Sequence, residues 1–157
     1  MDADARLTQA AADLGYSFDA ELRVGGNYVP LVRDDHVVYV SGQVPRVGDT
    51  VVVTGRVGDD VSLDQAQHAA RVCAMRALVL LQRALGSLDE VRQVLRVTVY
   101  VRSAAQFTQH SEVADAASEL LHRVLDRAGT HTRTSVGVFQ LPKNASVELD
   151  LIASVRR

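Results

Sequence analysis

Ser62-Leu63-Asp64-Gln65-Ala66 opens a run that Arg83-Ala84-Leu85-Gly86 closes, and the chain then passes into Arg96-Val97-Thr98-Val99-Tyr100-Val101. In the first part Ala66, Ala70, Cys73, Ala77, Leu80, Leu81 and Ala84 recur at intervals of three and four, the spacing of one helix face. Ser62 stands three residues before Gln65, the spacing of a capping box, and Gly86 is a stop signal. A long helix from Leu63 to Leu85 with one face on a sheet is therefore predicted. From Val91 to Val101 the period falls to two, with Val97, Val99 and Val101 alternating against Arg96, Thr98 and Tyr100. That pattern predicts a central strand.

Working outward, Ser103 and Gln106 repeat the capping spacing, and Val113, Ala117, Leu120, Leu121, Val124 and Ala128 form an apolar stripe that ends at Gly129. This predicts a second helix. Upstream, Val37-Val38-Tyr39-Val40 and Val51-Val52-Val53-Thr54 are β-branched, and Gly42, Pro45, Gly48 and Asp49 between them read as the turn of a hairpin. Thr132 to Phe139 and Ser146 to Ser154 read as two closing strands joined by a short turn containing Pro142. Leu7, Ala11 and Leu14, followed by Gly15, predict a short amphipathic helix on the outside of the domain. The order ββαβαββ predicts an α+β sandwich: a mixed sheet covered on one face by two helices.

A chain of 157 residues is sized for one domain, which buries roughly 70% of its unfolded surface. Aromatic residues make up only 4%, so valine and alanine must build most of the core. The net charge of -2 offers no basic surface for nucleic acid or for an anionic membrane. No window approaches a membrane span, the N-terminal residues lack the apolar run of a secretory signal, and the single cysteine, Cys73, cannot form an internal disulfide. Cytoplasmic residence is the expectation.

Several kinds of chemistry find no support. Gly55-Arg56-Val57-Gly58 lacks the length and the Lys-Ser/Thr pair of a phosphate loop. His110, His122 and His131 have no carboxylate or thiol at ligand spacing, so no metal or cofactor is expected. Cys73 falls on an apolar helix face and reads as an inert buried thiol, while Ser41 and Ser135 lack a nucleophile elbow. What remains is a pair of charges inside apolar runs: Arg133 in Thr132-Arg133-Thr134-Ser135-Val136, and Glu148 in Val147-Glu148-Leu149. If the two closing strands pair around Pro142 and Lys143, Glu148 falls opposite about Val138 and Arg133 lies roughly 16 Å further along. Two readings stand at this point. The charges are separate edge residues in solvent or in a salt bridge, or subunits pack so that the arginine of one chain meets residues of another.

Tyr39-Val40-Ser41-Gly42-Gln43-Val44-Pro45, Val97-Thr98-Val99-Tyr100-Val101, Arg133-Thr134-Ser135-Val136, Leu141-Pro142-Lys143 and Val147-Glu148 together resemble the Rid family, the YjgF-like reactive intermediate deaminases. The resemblance runs from about Tyr28 to the C-terminus. It divides the chain into a helical extension over 1–25 and a single core over 28–157, and the extension points to a longer subgroup. It implies a chorismate-mutase-like homotrimer with ligand clefts between subunits. It also implies hydrolysis of 2-imino acids or their enamine tautomers, such as 2-aminoacrylate, to 2-keto acids and ammonia.

Under the same resemblance Arg133 holds the substrate carboxylate, for which a planar guanidinium is suited, and Glu148 positions the attacking water. Tyr28 lines the cleft, and Ser41 and Gly42 belong to the loop that closes it. Ser135 and Ser111 stand where well-known members carry a cysteine and a ligand-contacting asparagine, and both count as substrate-binding positions here. Two other functions remain as alternatives: a protein that binds a small carboxylate or keto acid without turnover, and an endoribonuclease, against which the acidic balance argues.

Overall fold

Asp2 accepts a hydrogen bond from the Ala5 N–H and Gly15 adopts φ 80°, so the first helix, α1 (Ala3–Leu14), is capped at both ends. These ends belong to a computed structural model that describes residues 1–156. β1 (Leu31–Asp34) and β2 (Val37–Gln43) follow as an antiparallel hairpin turning at Asp35, whose φ is 54°. A short ribbon of β3 (Arg46–Val47) and β4 (Thr50–Val51) comes next. Ser62 and Gln65 form both bonds of a capping box at the start of α2 (Leu63–Leu85), which Gly86 ends at φ 84°. β5 (Val91–Arg102), α3 (His110–Leu125), β6 (Thr132–Val138) and β7 (Val147–Val155) complete the chain.

Five strands form the main sheet in the order β1-β2-β7-β5-β6, with β6 parallel to β5 and every other pair antiparallel. The sheet is mixed, and its strands and helices after α1 follow the order ββαβαββ. α2 and α3 lie side by side on one face, over the buried Val38 and Val40 of β2, Val97, Val99 and Val101 of β5, and Leu149, Leu151 and Ala153 of β7. α1 packs on the outer side of both helices. Its Leu7 and Ala10 are buried, Arg6 Nε donates to the Val124 carbonyl (2.8 Å), and Asp4 Oδ1 accepts from the Leu88 N–H (3.0 Å).

Three local expectations are corrected. Val51 to Thr54 does not pair with Val37 to Val40. Its backbone pairs instead with Arg46, Pro45, Ala145 and Ser146, while β2 takes β1 as its hairpin partner. The second long helix starts at His110 rather than near Ser103, because the Ala104 N–H donates to the Val57 carbonyl and Ser103 bridges to Val57. Ser103 and Ala104 thus continue the extended backbone of β5 past Arg102 instead of opening a helix.

The closing strands are not a hairpin. β7 lies between β2 and β5, and β6 is an edge strand on the far side of β5, so Glu148 faces Tyr100 and not Val138. The β5-α3-β6 unit accounts for this, since a strand reached through a helix returns parallel to the strand before it.

Candidate functional site

Residues opposite each other across a sheet share a face, so the register fixes where each candidate side chain stands. Arg133 pairs with Val97, which pairs with Leu151, and both are buried under the helices. Glu148 pairs with Tyr100, and Tyr100 with Val136, on the face without helices. Arg133 and Glu148 therefore point to opposite faces of the sheet. Their Cα atoms lie three residue steps and two strand spacings apart, roughly 14 Å. The seven candidate residues fall into two groups.

The first group surrounds a cavity of about 230 Å³ whose lining includes Tyr28, Gly42, Gln43, Arg76, Lys143 and Glu148. The register between β2 and β7 slips between Val40 and Gln43, a bulge that carries Ser41 and Gly42 over the side chain of Glu148. Gly42 lets the Glu148 carboxylate keep this position, because a Cβ would collide with Glu148 Oε2 and lie 2.9 Å from Cδ and so turn the side chain aside. Ser41 holds the bulge through its carbonyl, which accepts from Gln43 Nε2 (3.1 Å). Tyr28 stands at the mouth, 53% exposed.

Glu148 is half-buried and accepts no hydrogen bond from any described residue. Burial raises its pKa above the ordinary carboxylate value, and the charge of Asp150 on the same face adds to the shift. Asp150 itself is raised by burial, while the Tyr100 hydroxyl donates to its Oδ2 (3.0 Å) and partly offsets that. A carboxylate with a raised pKa and free lone pairs can take a proton from water near neutral pH.

The second group lies at the outer edge of the sheet, where β6 meets the start of α3. Arg133, with its side chain 19% exposed, donates to Asp115 Oδ1 (2.9 Å), Ser118 Oγ (3.0 Å) and Ser111 Oγ (2.8 Å). Ser111 therefore acts first as a support for the guanidinium. Ser118 also bonds to His131 Nε2 (2.8 Å), and His131 Nδ1 lies 2.5 Å from the Gly129 carbonyl. Nδ1 must carry the proton in that contact, which leaves Nε2 to accept from Ser118. Burial lowers the His131 pKa, which disfavours the charged ring. Ser135 follows Arg133 on the same face of β6.

Cys73 is fully buried against α2's sheet side, and burial pushes its thiol pKa upward, which keeps it a thiol. No group of His, Cys, Asp and Glu among the described residues could hold a metal ion, and no helix is long and apolar enough to cross a membrane. Larger cavities of about 470 and 430 Å³ lie around α1, away from all seven candidates. Arg46 and Arg76 at the Glu148 cavity, and Asp115 and Ser118 at the edge, were not singled out from sequence, Gln43 was only part of a quoted segment, and His131 was weighed only as a metal ligand. Arg76 had a readable signal: it interrupts the apolar stripe between Cys73 and Leu80.

A two-helix, five-strand α+β sandwich with a half-buried carboxylate at a strand bulge defines the class, and comparison with known proteins supplies the family. The sequence model of the family described as Endoribonuclease L-PSP matches residues 18–155. The chain belongs to that family, the YjgF-like proteins it resembles. It is 36% identical over 154 residues to Protein TCP17 of Trypanosoma cruzi, covering 98% of this chain and 96% of that protein. It is 30% identical over 131 residues to a 2-iminobutanoate/2-iminopropanoate deaminase of Dermatophagoides farinae, covering 83% and 87%. A crystal structure of an Agrobacterium tumefaciens protein of unknown function superposes with TM-score 0.87 at 36% identity, covering 98% of this chain and 94% of that one.

Proposed function

We propose that this protein hydrolyses reactive 2-imino acids to 2-oxo acids and ammonia in clefts that form between subunits of a homotrimer. The observation that carries the reading is Glu148: a half-buried carboxylate without a hydrogen-bond donor, held against a glycine bulge at the wall of a small cavity. The deaminase relative supports the reaction class.

The reaction needs little machinery. Glu148 takes a proton from water as the water oxygen bonds to C2 of the imine, the C=N π pair moves to nitrogen, and nitrogen takes that proton from Glu148. The resulting amino alcohol then collapses: its hydroxyl proton passes by way of Glu148 to the amine nitrogen, C=O forms, and the C–N bond breaks to release ammonia. An enamine substrate enters the same path after protonation at C3. Arg133 supplies the guanidinium that holds the substrate carboxylate, with Ser111 and Asp115 fixing its plane.

Since Arg133 and Glu148 face away from each other within one chain, the reading requires a second subunit. The sheet face that bears Glu148 also carries the exposed Val32, Tyr39 and Val136, apolar area suited to burial against further copies of the chain. Ser135 and Ser111 line the Arg133 side of the composite cleft, and Tyr28, Ser41 and Gly42 line the Glu148 side.

The test is ammonia release from imino acids generated in situ from alanine and 2-aminobutyrate by an amino-acid oxidase. Release faster than the uncatalysed rate, and lost in Glu148→Gln, is expected. Oxo-acid binding without faster release would instead assign the protein to carboxylate binding.

A further inference from the structure

Arg76 is a cation where α2 should carry an apolar residue. It is 3% exposed and lines the same cavity as Glu148. Its Nε donates to Gln43 Oε1 (3.1 Å) and one Nη to the Arg46 carbonyl (2.9 Å), so both known acceptors are uncharged. No ion pair among the described residues includes Arg76 or Arg46. Burial lowers the Arg76 pKa, and the neighbouring charge of Arg46 acts in the same direction.

Arg46 lines the cavity too, and its Nε is buried without any hydrogen-bond partner. Lys143 adds a third cation to the wall. An isolated buried charge is costly unless it is paired, and an orphaned N–H costs further. Glu148 is the one carboxylate in the lining, and neither guanidinium forms an ion pair with it, so the cavity wall carries more cationic groups than acids and can accept an anion.

We propose that Arg76 and Arg46 form a second carboxylate contact in the Glu148 cavity, so that the preferred substrates are 2-imino acids with an acidic side chain. This inference rests on the reading that the cleft takes 2-imino acids. In the composite cleft Arg133 of one subunit holds the carboxylate beside the imine. Glu148 of the other faces the imine carbon, and Arg76 behind it receives the side-chain carboxylate. The size of the cavity limits that side chain to a short one, as in the imines of aspartate and glutamate.

Stable oxo acids test the contact separately from the chemistry. Calorimetric titration of the wild-type protein should give 2-oxoglutarate an affinity roughly tenfold or more above that of 2-oxobutyrate, the increment of a charged hydrogen bond. In Arg76→Met, which keeps the length of the side chain and removes its charge, 2-oxoglutarate should fall to the affinity of 2-oxobutyrate. Arg76→Lys should retain part of the preference.

Equal binding of the two acids by the wild type overturns the inference without any variant. A preference that survives in a folded Arg76→Met overturns it as well. Failure of the deaminase reading looks different: an Arg76-dependent preference with no ammonia released from either class of imine. That outcome supports the second carboxylate contact and removes the hydrolysis.

Discussion

The Glu148 cavity and the Arg133 edge are carried by the same sheet, yet they handle charge in opposite ways. Arg133 is held by Asp115, Ser118 and Ser111, and behind Ser118 stands His131. Glu148 has no hydrogen-bond donor, and two of the cations that line its cavity, Arg46 and Arg76, form no ion pair. In the proposed reaction the difference separates positioning from chemistry. A guanidinium that must present a fixed plane gains from a rigid frame, whereas a base gains from lone pairs left free and a pKa raised by burial.

The sharpest break in this comparison is Glu148→Gln, which keeps shape and loses basicity. Turnover should fall by about 10²- to 10⁴-fold while oxo-acid binding persists, as steady-state ammonia release and calorimetry would show. Gly42→Ala should come next. Its new Cβ would overlap Glu148 Oε2, so the carboxylate must swing aside; a misplacement of about 1 Å can cost about 10²-fold in rate. Binding should suffer less than turnover.

Arg133→Lys keeps the charge and removes the two-pronged fork that Ser111 and Asp115 hold in place. Binding of 2-oxobutyrate should weaken by roughly tenfold, with little change in the melting temperature. Unchanged binding would return Arg133 to the role of an edge charge.

The smallest effect is on stability. The folded pKa of Glu148 is raised, so its favourable contribution to folding is complete below the unfolded value of about pH 4 and is lost as pH rises through the folded pKa. Glu148→Gln should therefore melt above the wild type at pH 8, and the two curves should converge below about pH 4 by calorimetry.

The elements with strong local signals were legible in the sequence. The capping box at Ser62, the stop at Gly86 and the alternation of Val97, Val99 and Val101 predicted α2 and β5. What failed were the pairings. β6 and β7 are joined by a turn at Pro142, yet β7 inserts between β2 and β5, a choice made by burial and crossover geometry rather than by the turn. The polar face of β6, with Arg133 and Ser135, is the mark of an edge strand. Ser103 matched a capping spacing, but its backbone was already committed to Val57. Of the candidate site, Glu148 was legible as a charge inside an apolar run and Gly42 through the resemblance, and the structure adds the physical reason for their closeness. Arg76 and Arg46 went unnoticed, because their lack of an acid appears only once three-dimensional neighbours are known.

The central claim is that catalysis needs Arg133 from one subunit and Glu148 from the next. Co-expression of Arg133→Ala with Glu148→Gln tests it most directly, since each variant alone lacks one half of every cleft. Random assembly gives about a quarter of the clefts both intact halves, so the purified mixture should regain about a quarter of wild-type ammonia release. A mixture as inactive as its two parents would contradict the claim.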